Sequence, residues 1–430
     1  MLGTAPSPRE VGLSSLMGTK SAALPGQVLA DLRELDAQTG GEGGARRVAW
    51  TSNWERARAL FAERAIGLGL TPERDRAGNI WVELRGESDS LLVLGSHLDS
   101  VPSGGWLDGA LGVWAGLGVL EGFLRDRRRP QRSVAVVDWA DEEGARFGRS
   151  LYGSSAFVGA LEVDELAGLL DRDGQSAAEV LGAAGISFDS FEGADPRLER
   201  IAAYLELHIE QGPILAEARE PVASVTGTVG ISRDCISFEG QSAHAGPTPM
   251  EGRADAFLAA AEVAVALEEL ARRSGGRATN GRLDLEPGIP TATAGRADLF
   301  TDLRHEDAEA LEQMHVEAGR IAEAKASSRG IEVTKRKIWS IEPRAFDPRL
   351  VEAAREACVS SGGSDFTMPS GALHDAGELA PLVPTAMIFC ASQRGLSHCP
   401  EEDSTEEDLE CAIRAFDRLA RTVAERSDLS

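Results

Sequence analysis

The sequence predicts an α/β protein with a mostly parallel central sheet, interrupted by an inserted α+β unit. Three observations predict it. First, the continuous apolar runs Leu-Leu-Val-Leu at 91–94 and Val-Ala-Val-Val at 134–137 fit strands buried on both faces, and 111–123 between them is apolar at helical spacing. Second, from Val222 onward the pattern changes to alternating strands and two long helices, and the apolar-run character returns only after Val333. Third, the 430 residues exceed what one hydrophobic core usually serves. The expected division is a loose tail over 1–27, a split unit over 28–212 and 332–430, and an insert over 213–331.

Each element follows in order. Between 28 and 70 the apolar spacing is helical, with Trp50 and Trp54 on one face. Gly78-Asn79 is a turn, and 80–84 alternates like a strand. The strand at 91–94, the helix opening at Gly109 and the strand at 133–137 form the βαβ unit. The polar stretch 159–196 holds two short helices, and 204–208 is a further strand. Within the insert, 222–238 reads as paired antiparallel strands, 254–272 and 307–325 as helices, and 282–285 and 296–303 as strands. Helix 348–360, strand 384–390 and helix 405–424 complete the chain.

Composition excludes several classes of partner. Hydrophobic residues at 42% and charged residues at 26% are ordinary for a globular protein. A net charge of -25 argues against nucleic acid, whose phosphates need a basic surface. No apolar run approaches the ~20 residues that span a bilayer, and the first two dozen residues lack the apolar core of a signal peptide. Cys235, Cys358, Cys390, Cys399 and Cys411 are odd in number and form no CxxC pair, which fits a reducing compartment. A cytoplasmic location is expected.

The residues that carry chemistry stand at strand ends. Gly-Ser-His-Leu-Asp-Ser at 95–100 puts His97 at the end of one strand; Asp108-Gly109 follows, and Asp-Glu-Glu-Gly at 141–144 closes the next. Imidazole and carboxylate groups at the carboxyl ends of neighbouring strands describe a metal site, and a spare glutamate beside a ligand suggests a base that activates water. Asp99, two residues beyond His97, can accept from the far ring nitrogen and fix its tautomer. Adjacent Glu142 and Glu143 on an extended segment point in different directions, so one can bind a cation while the other faces substrate. Each signal has a plain alternative: His97 as a hydrogen-bonded core histidine, Asp108 as a turn residue, the glutamate pair as helix N-terminal charges.

The motifs together resemble a known family. Gly-Ser-His-Leu-Asp-Ser, Asp108-Gly109, Asp-Glu-Glu-Gly-Ala-Arg-Phe-Gly (141–148), His-Ile-Glu-Gln-Gly-Pro (208–213), His-Ala-Gly-Pro-Thr-Pro-Met (244–250), His-Asp-Ala (374–376) and Gly-Leu-Ser-His (395–398) are similar to those of the hydantoinase/carbamoylase amidases. That group includes N-carbamoyl-L-amino acid hydrolases, β-ureidopropionases and allantoate amidohydrolases, and belongs with the dinuclear zinc aminopeptidases, aminoacylases and carboxypeptidases. The resemblance runs from about Asp31 to Ala424. It implies a zinc-aminopeptidase-like catalytic unit and an inserted lid and dimerisation unit. It also implies two divalent ions per subunit, Zn²⁺ or Mn²⁺, Co²⁺ or Ni²⁺. His97 and His208 would bind one ion, Glu143 and His398 the other, Asp108 would bridge them, and Glu142 would be the general base. His244 would reach the active site of a second copy in a homodimer. Arg304 and Arg233 would grip a substrate carboxylate. Gln211 would line the same pocket, and His374 would lie in an active-site loop.

Departures fall in the substrate pocket. Thr291 stands where the family usually has Asn, Leu373 where it usually has Gly, and Ser155 where arginine is frequent. Leu373 adds apolar bulk, and Thr291 loses an amide's paired donor and acceptor. The reaction expected is removal of a carbamoyl group from an N-carbamoyl-L-amino acid or a close ureido acid. The rivals are an allantoate or ureidoglycolate amidohydrolase, a metal-dependent aminoacylase or dipeptidase, and a non-catalytic binding protein of the same fold. A cysteine amidase using Cys399 is a poor fourth, for no helix start activates that thiol.

Overall fold

A computed structural model describes residues 23–188, 191 and 193–426. The tail expected over 1–27 lies outside the described residues up to position 22. From Ala23 the chain is already packed: helix Pro25–Thr39 opens with proline in its first turn and buries Val28, Leu29, Leu32 and Leu35. The helical stretch expected over 28–70 is two helices, Pro25–Thr39 and Ser52–Gly67. The glycines at 40, 41, 43 and 44 break it. At Gly44, with φ +83°, a Cβ would meet the Gly104 carbonyl and the Pro400 backbone. Trp50 lies outside the second helix, at φ +65°, and packs edge-on against Trp54 with ring centroids 4.7 Å apart.

The strands are β1 (Pro72–Arg74), β2 (Ile80–Leu84), β3 (Ser88–His97), β4 (Arg132–Trp139), β5 (Ile201–Ile209), β6 (Val222–Thr228), β7 (Gly230–Glu239), β8 (Arg277–Glu286), β9 (Arg296–His305), β10 (Glu332–Ile341), β11 (Arg344–Ala345), β12 (Thr367–Ser370) and β13 (Thr385–Cys390). The large sheet runs β1-β2-β4-β3-β5-β13-β6-β11, with β12 beside β6. Its centre, β4-β3-β5-β13, is parallel, and antiparallel pairs flank it. Both faces are covered, which is why these strands read as continuous apolar runs. Leu92, Leu94, Val134 and Val136 pack under the helices Ala110–Asp126, Pro348–Val359 and Glu406–Glu425, while Leu91, Val93, Ala135 and Val137 pack into a second core on the other side.

The small sheet, β10-β7-β9-β8, is wholly antiparallel. Helices Ala256–Ser274 and Ala308–Ser328 cover one face, over Ile236, Phe238, Leu299 and Leu303. The stretch 222–238 is not one paired ribbon. β6 pairs with β13 in the large sheet and β7 with β9 in the small one, with Val229 between them. The chain therefore changes sheet at Val229 and returns after Ile341, later at both ends than the sequence suggests. β10 escaped the sequence reading because it is a charged, mostly exposed edge strand with no apolar alternation.

One buried ion pair ties the first helices to the sheet. Arg58, on helix Ser52–Gly67, donates from Nε to Asp138 Oδ2 at 2.8 Å and also to the Gly78 carbonyl. Asp138 Oδ1 accepts from the Leu98 amide at 2.9 Å, which anchors the turn just beyond His97. Arg58→Met should lower stability by about 3–5 kcal/mol, since it leaves Asp138 buried without its cation. The midpoint of urea unfolding at unchanged slope checks this.

Candidate metal centre and cleft

The site assembles at the carboxyl ends of the parallel strands, where an open α/β sheet offers its crevice. β3 delivers His97, β4 runs on into Glu142 and Glu143, β5 delivers His208, and the segment after β13 returns His398. Asp108 stands just before helix Ala110–Asp126. Gly109 between them has φ +64°, and a Cβ there would lie 2.5 Å from the His97 ring, so glycine lets the helix start abut the imidazole.

Asp108 is the hub. Its Oδ1 lies 3.1 Å from His208 Nε2 and 3.6 Å from His97 Nε2. Its Oδ2 lies 3.2 Å from His398 Nε2, which is 3.5 Å from Glu143 Oε1. Two sets of donors therefore share one carboxylate: His97, Asp108 and His208, and Asp108, Glu143 and His398, with the donor atoms of each set within 4.8 Å of one another. A third set, Glu206, His208 and His374, satisfies the same spacing. Its members are already engaged: Glu206 accepts from Ser96, Tyr204 and the Ala376 amide, and His374 Nε2 pairs with Ser370 Oγ at 2.9 Å.

The tautomers are fixed by backbone carbonyls. His97 Nδ1 donates to the Asp99 carbonyl at 3.1 Å and His208 Nδ1 to the Ile209 carbonyl at 2.9 Å, which leaves both Nε2 atoms facing Asp108. This corrects the reading of Asp99. Its carboxylate is 3.6 Å from His97 Nδ1, too long for a hydrogen bond. It instead accepts from the amides of Glu142 and Glu143, each at 3.1 Å. Asp141, in the left-handed region at φ +56°, is held by Trp50 Nε1 at 2.8 Å. The two glutamates diverge from there: Glu142 Oε2 lies 3.7 Å from His97 Nε2, and Glu143 turns to His398.

The electrostatics call for cations. Burial, then the neighbouring Asp108 carboxylate, pushes Glu143 up to about 7. Burial pushes Glu142 well above the usual carboxylate range. The hydrogen bond to Asp108 lifts His398 to about 9. Asp108 is held well below its ordinary value, because its bonds to His208 and His398 outweigh burial. Glu143 Oε1 is buried with no hydrogen-bond donor. Acidic oxygens crowded together, one of them without a donor, and facing three imidazole nitrogens, fit a pair of divalent ions, and the mixed N/O set suits Zn²⁺, Mn²⁺, Co²⁺ or Ni²⁺.

The cleft over this centre, about 190 Å³, is lined by the donors together with Gln211, Ile231, Arg233, Arg304, Leu373 and His374. Gln211 Nε2 donates to Asp108 Oδ2 at 2.9 Å. Arg233 and Arg304 sit on β7 and β9, two positions apart in the antiparallel register, and both grip Asp302 through Nε at 2.8 Å. Arg304 also donates to the Gly371 carbonyl at 2.8 Å, a contact from the small sheet to the segment carrying Leu373 and His374. Burial, then the nearby His208, lowers the His374 pKa well below its ordinary value, so this ring is neutral. Ser155 is buried and donates to Glu378 Oε2 at 3.2 Å.

His244 and Thr291 lie elsewhere. Both are exposed, and neither lines the cleft of its own chain. They are brought to each other: the Ala245 amide donates to the Thr291 carbonyl at 2.8 Å, and His244 bridges to Ala292. Sequence reasoning missed Glu402, which accepts from the Leu107 and Asp108 amides. Its only signal was an acidic residue four positions beyond His398, which reads as solvated surface.

Comparison with known proteins agrees with this geometry. The model of "Peptidase family M20/M25/M40" matches residues 93–422. An N-carbamoyl-L-amino acid amidohydrolase of Geobacillus stearothermophilus is 38% identical over 392 residues, covering 90% of this chain and 95% of that protein. An allantoate amidohydrolase of Bacillus subtilis is 31% identical over 405 residues, covering 92% and 97%. A hydantoinase/carbamoylase family amidase from Burkholderia multivorans superposes with a TM-score of 0.87 at 32% identity, over 95% of this chain and all of that one. The chain belongs to peptidase family M20/M25/M40 and, within it, to the hydantoinase/carbamoylase amidases.

Proposed function

We propose that the protein is a dinuclear metal amidohydrolase that splits the carbamoyl C–N bond of an N-carbamoyl-L-amino acid or a close ureido acid. One water is consumed, and the amine, CO₂ and ammonia are released. The observation that carries this reading is the division of Asp108 between two donor sets, with Glu142 beside them. His97 and His208 would hold one ion, Glu143 and His398 the other, and Asp108 both. Such a pair supplies Lewis acidity, which lowers the pKa of water and polarises the carbonyl. Glu142 takes the proton of the attacking water and returns it to the departing nitrogen. Asp99 fixes the backbone from which Glu142 projects. Arg233 and Arg304 bind the substrate carboxylate, Asp302 presenting their planes to the cleft. Gln211 and the neutral His374 offer hydrogen bonds to the ureido group.

In this reading the unit built on the small sheet serves as lid and dimerisation surface. His244, exposed and remote from its own cleft, reaches the centre of a second copy and donates to the oxyanion. Thr291 belongs to the same loop pair. The apolar wall of Ile231, Ala372 and Leu373 favours an apolar amino acid side chain over allantoate, which is polar at both arms.

Several outcomes are expected. Glu142→Gln should keep two bound ions, measured by elemental analysis, and lose at least about 10²-fold in kcat; full activity would remove Glu142 from the base role. Removal of metal by a chelator should abolish ammonia release, and Zn²⁺, Mn²⁺, Co²⁺ or Ni²⁺ should restore it; activity that survives stripping would end the metal mechanism. Across a panel, kcat/KM should be higher for N-carbamoyl-L-leucine or -methionine than for allantoate, and Leu373→Gly should narrow that ratio about 10-fold or more. Inactive Glu142→Gln and His244→Ala proteins, mixed under verified subunit exchange, should regain part of the activity. No recovery would refute action across the dimer.

A further inference from the structure

We propose that Glu402 is a positioning residue that holds the second cation position, that of Glu143 and His398, in register with the first. The inference rests on the two-cation reading above. The Glu402 side chain is buried beneath the cleft. Its Oε1 accepts from the Leu107 amide at 3.2 Å and the Asp108 amide at 3.0 Å. Its Oε2 accepts from Ser397 Oγ at 2.7 Å, next to His398. One carboxylate thus ties the segment that carries the shared aspartate to the segment that carries the histidine of the second set. Both oxygens are committed to donors, so Glu402 acts through its neighbours and not as a ligand.

His398 needs such a tie more than the other donors do. His97 and His208 are strand residues, 1% exposed, each in register with a neighbouring parallel strand, His97 opposite Trp139 of β4 and His208 opposite Phe389 of β13. The His398 side chain is 48% exposed, and its backbone sits in the left-handed region at φ +56°. Outside regular structure, an exposed ring holds a sub-ångström geometry only if its backbone is fastened nearby. Ser397 supplies that fastening through Glu402. Gly105 supports the assignment independently: a Cβ built there would overlap the Glu402 carboxylate, while the backbone of Gly105 is outside the left-handed region. Alanine at 105 would therefore dislodge Glu402 by volume alone and leave every metal donor untouched.

The test is calorimetric titration of the metal-stripped, full-length protein with Zn²⁺, with elemental analysis after dialysis and thermal melts of each metal-free variant. The wild type is expected to bind two ions. Glu402→Ala and Gly105→Ala should each keep one ion at wild-type affinity and hold the other 10–100-fold more weakly, the range seen when a residue behind a metal ligand is removed. Glu402→Gln should fall between, since its amide oxygen still accepts from Leu107 and Asp108. A general loss of structure would lower the metal-free melting temperature and weaken both ions alike. Two ions at wild-type affinity in both alanine variants, or equal weakening of the two, would overturn the proposal. Uptake of fewer than two ions by the wild type would overturn the two-cation reading itself, and would be visible before any variant is made.

Discussion

A single buried carboxylate has to face two ways at once. Asp108 turns one oxygen to His97 and His208 and the other to His398, and most of the surrounding structure exists to hold it so. The peptide that presents it is gripped by Glu402, the next residue is a glycine because the His97 ring occupies the space of a Cβ, and Gln211 donates to its outer oxygen. The imidazoles of His97 and His208 are aimed by main-chain carbonyls, which cannot swing as side chains do. The parallel strands fix the remaining distances, because their carboxyl ends lie one strand spacing apart.

How much of this was legible in the sequence depended on where each residue sits. His97, Glu142, Glu143 and His208 close strands or follow them directly, so apolar runs located them. His398 lies in a loop, and its role came only from the resemblance. The helical stretch over 28–70 was misread because apolar spacing does not register the glycines that end the first helix at Thr39. β6 and β7 were merged because their local patterns match, whereas their assignment to different sheets is a tertiary choice. Asp99 was placed near the right group and given the wrong partner: spacing puts a carboxylate within reach of a ring but cannot show that a backbone oxygen arrives first. Glu402 was invisible, since an acid in an acidic run carries no sign that it points inward.

The small sheet brings its own chemistry by strand alternation. On β7 and β9, Ile231, Arg233 and Arg304 face the cleft, while Ile236, Phe238 and Leu303 face the helices. A shared aspartate sets the guanidinium planes of both arginines: Arg233 reaches it through Nε, and Arg304 through Nε and, at 3.3 Å, Nη2. The link from Arg304 to the Gly371 carbonyl joins the small-sheet unit to the segment after β12 through a charged group and a peptide oxygen. Contacts of that kind exchange readily with water, as domain motion requires.

Asp99 accepts the amides of two consecutive residues, Glu142 and Glu143. That makes the peptide plane between them a common pivot. In the proposed mechanism one of these side chains moves a proton and the other binds an ion, and a tilt of that plane would displace both. The basicity of this pair is therefore set by what surrounds the carboxylates, while the main chain beneath them serves both alike.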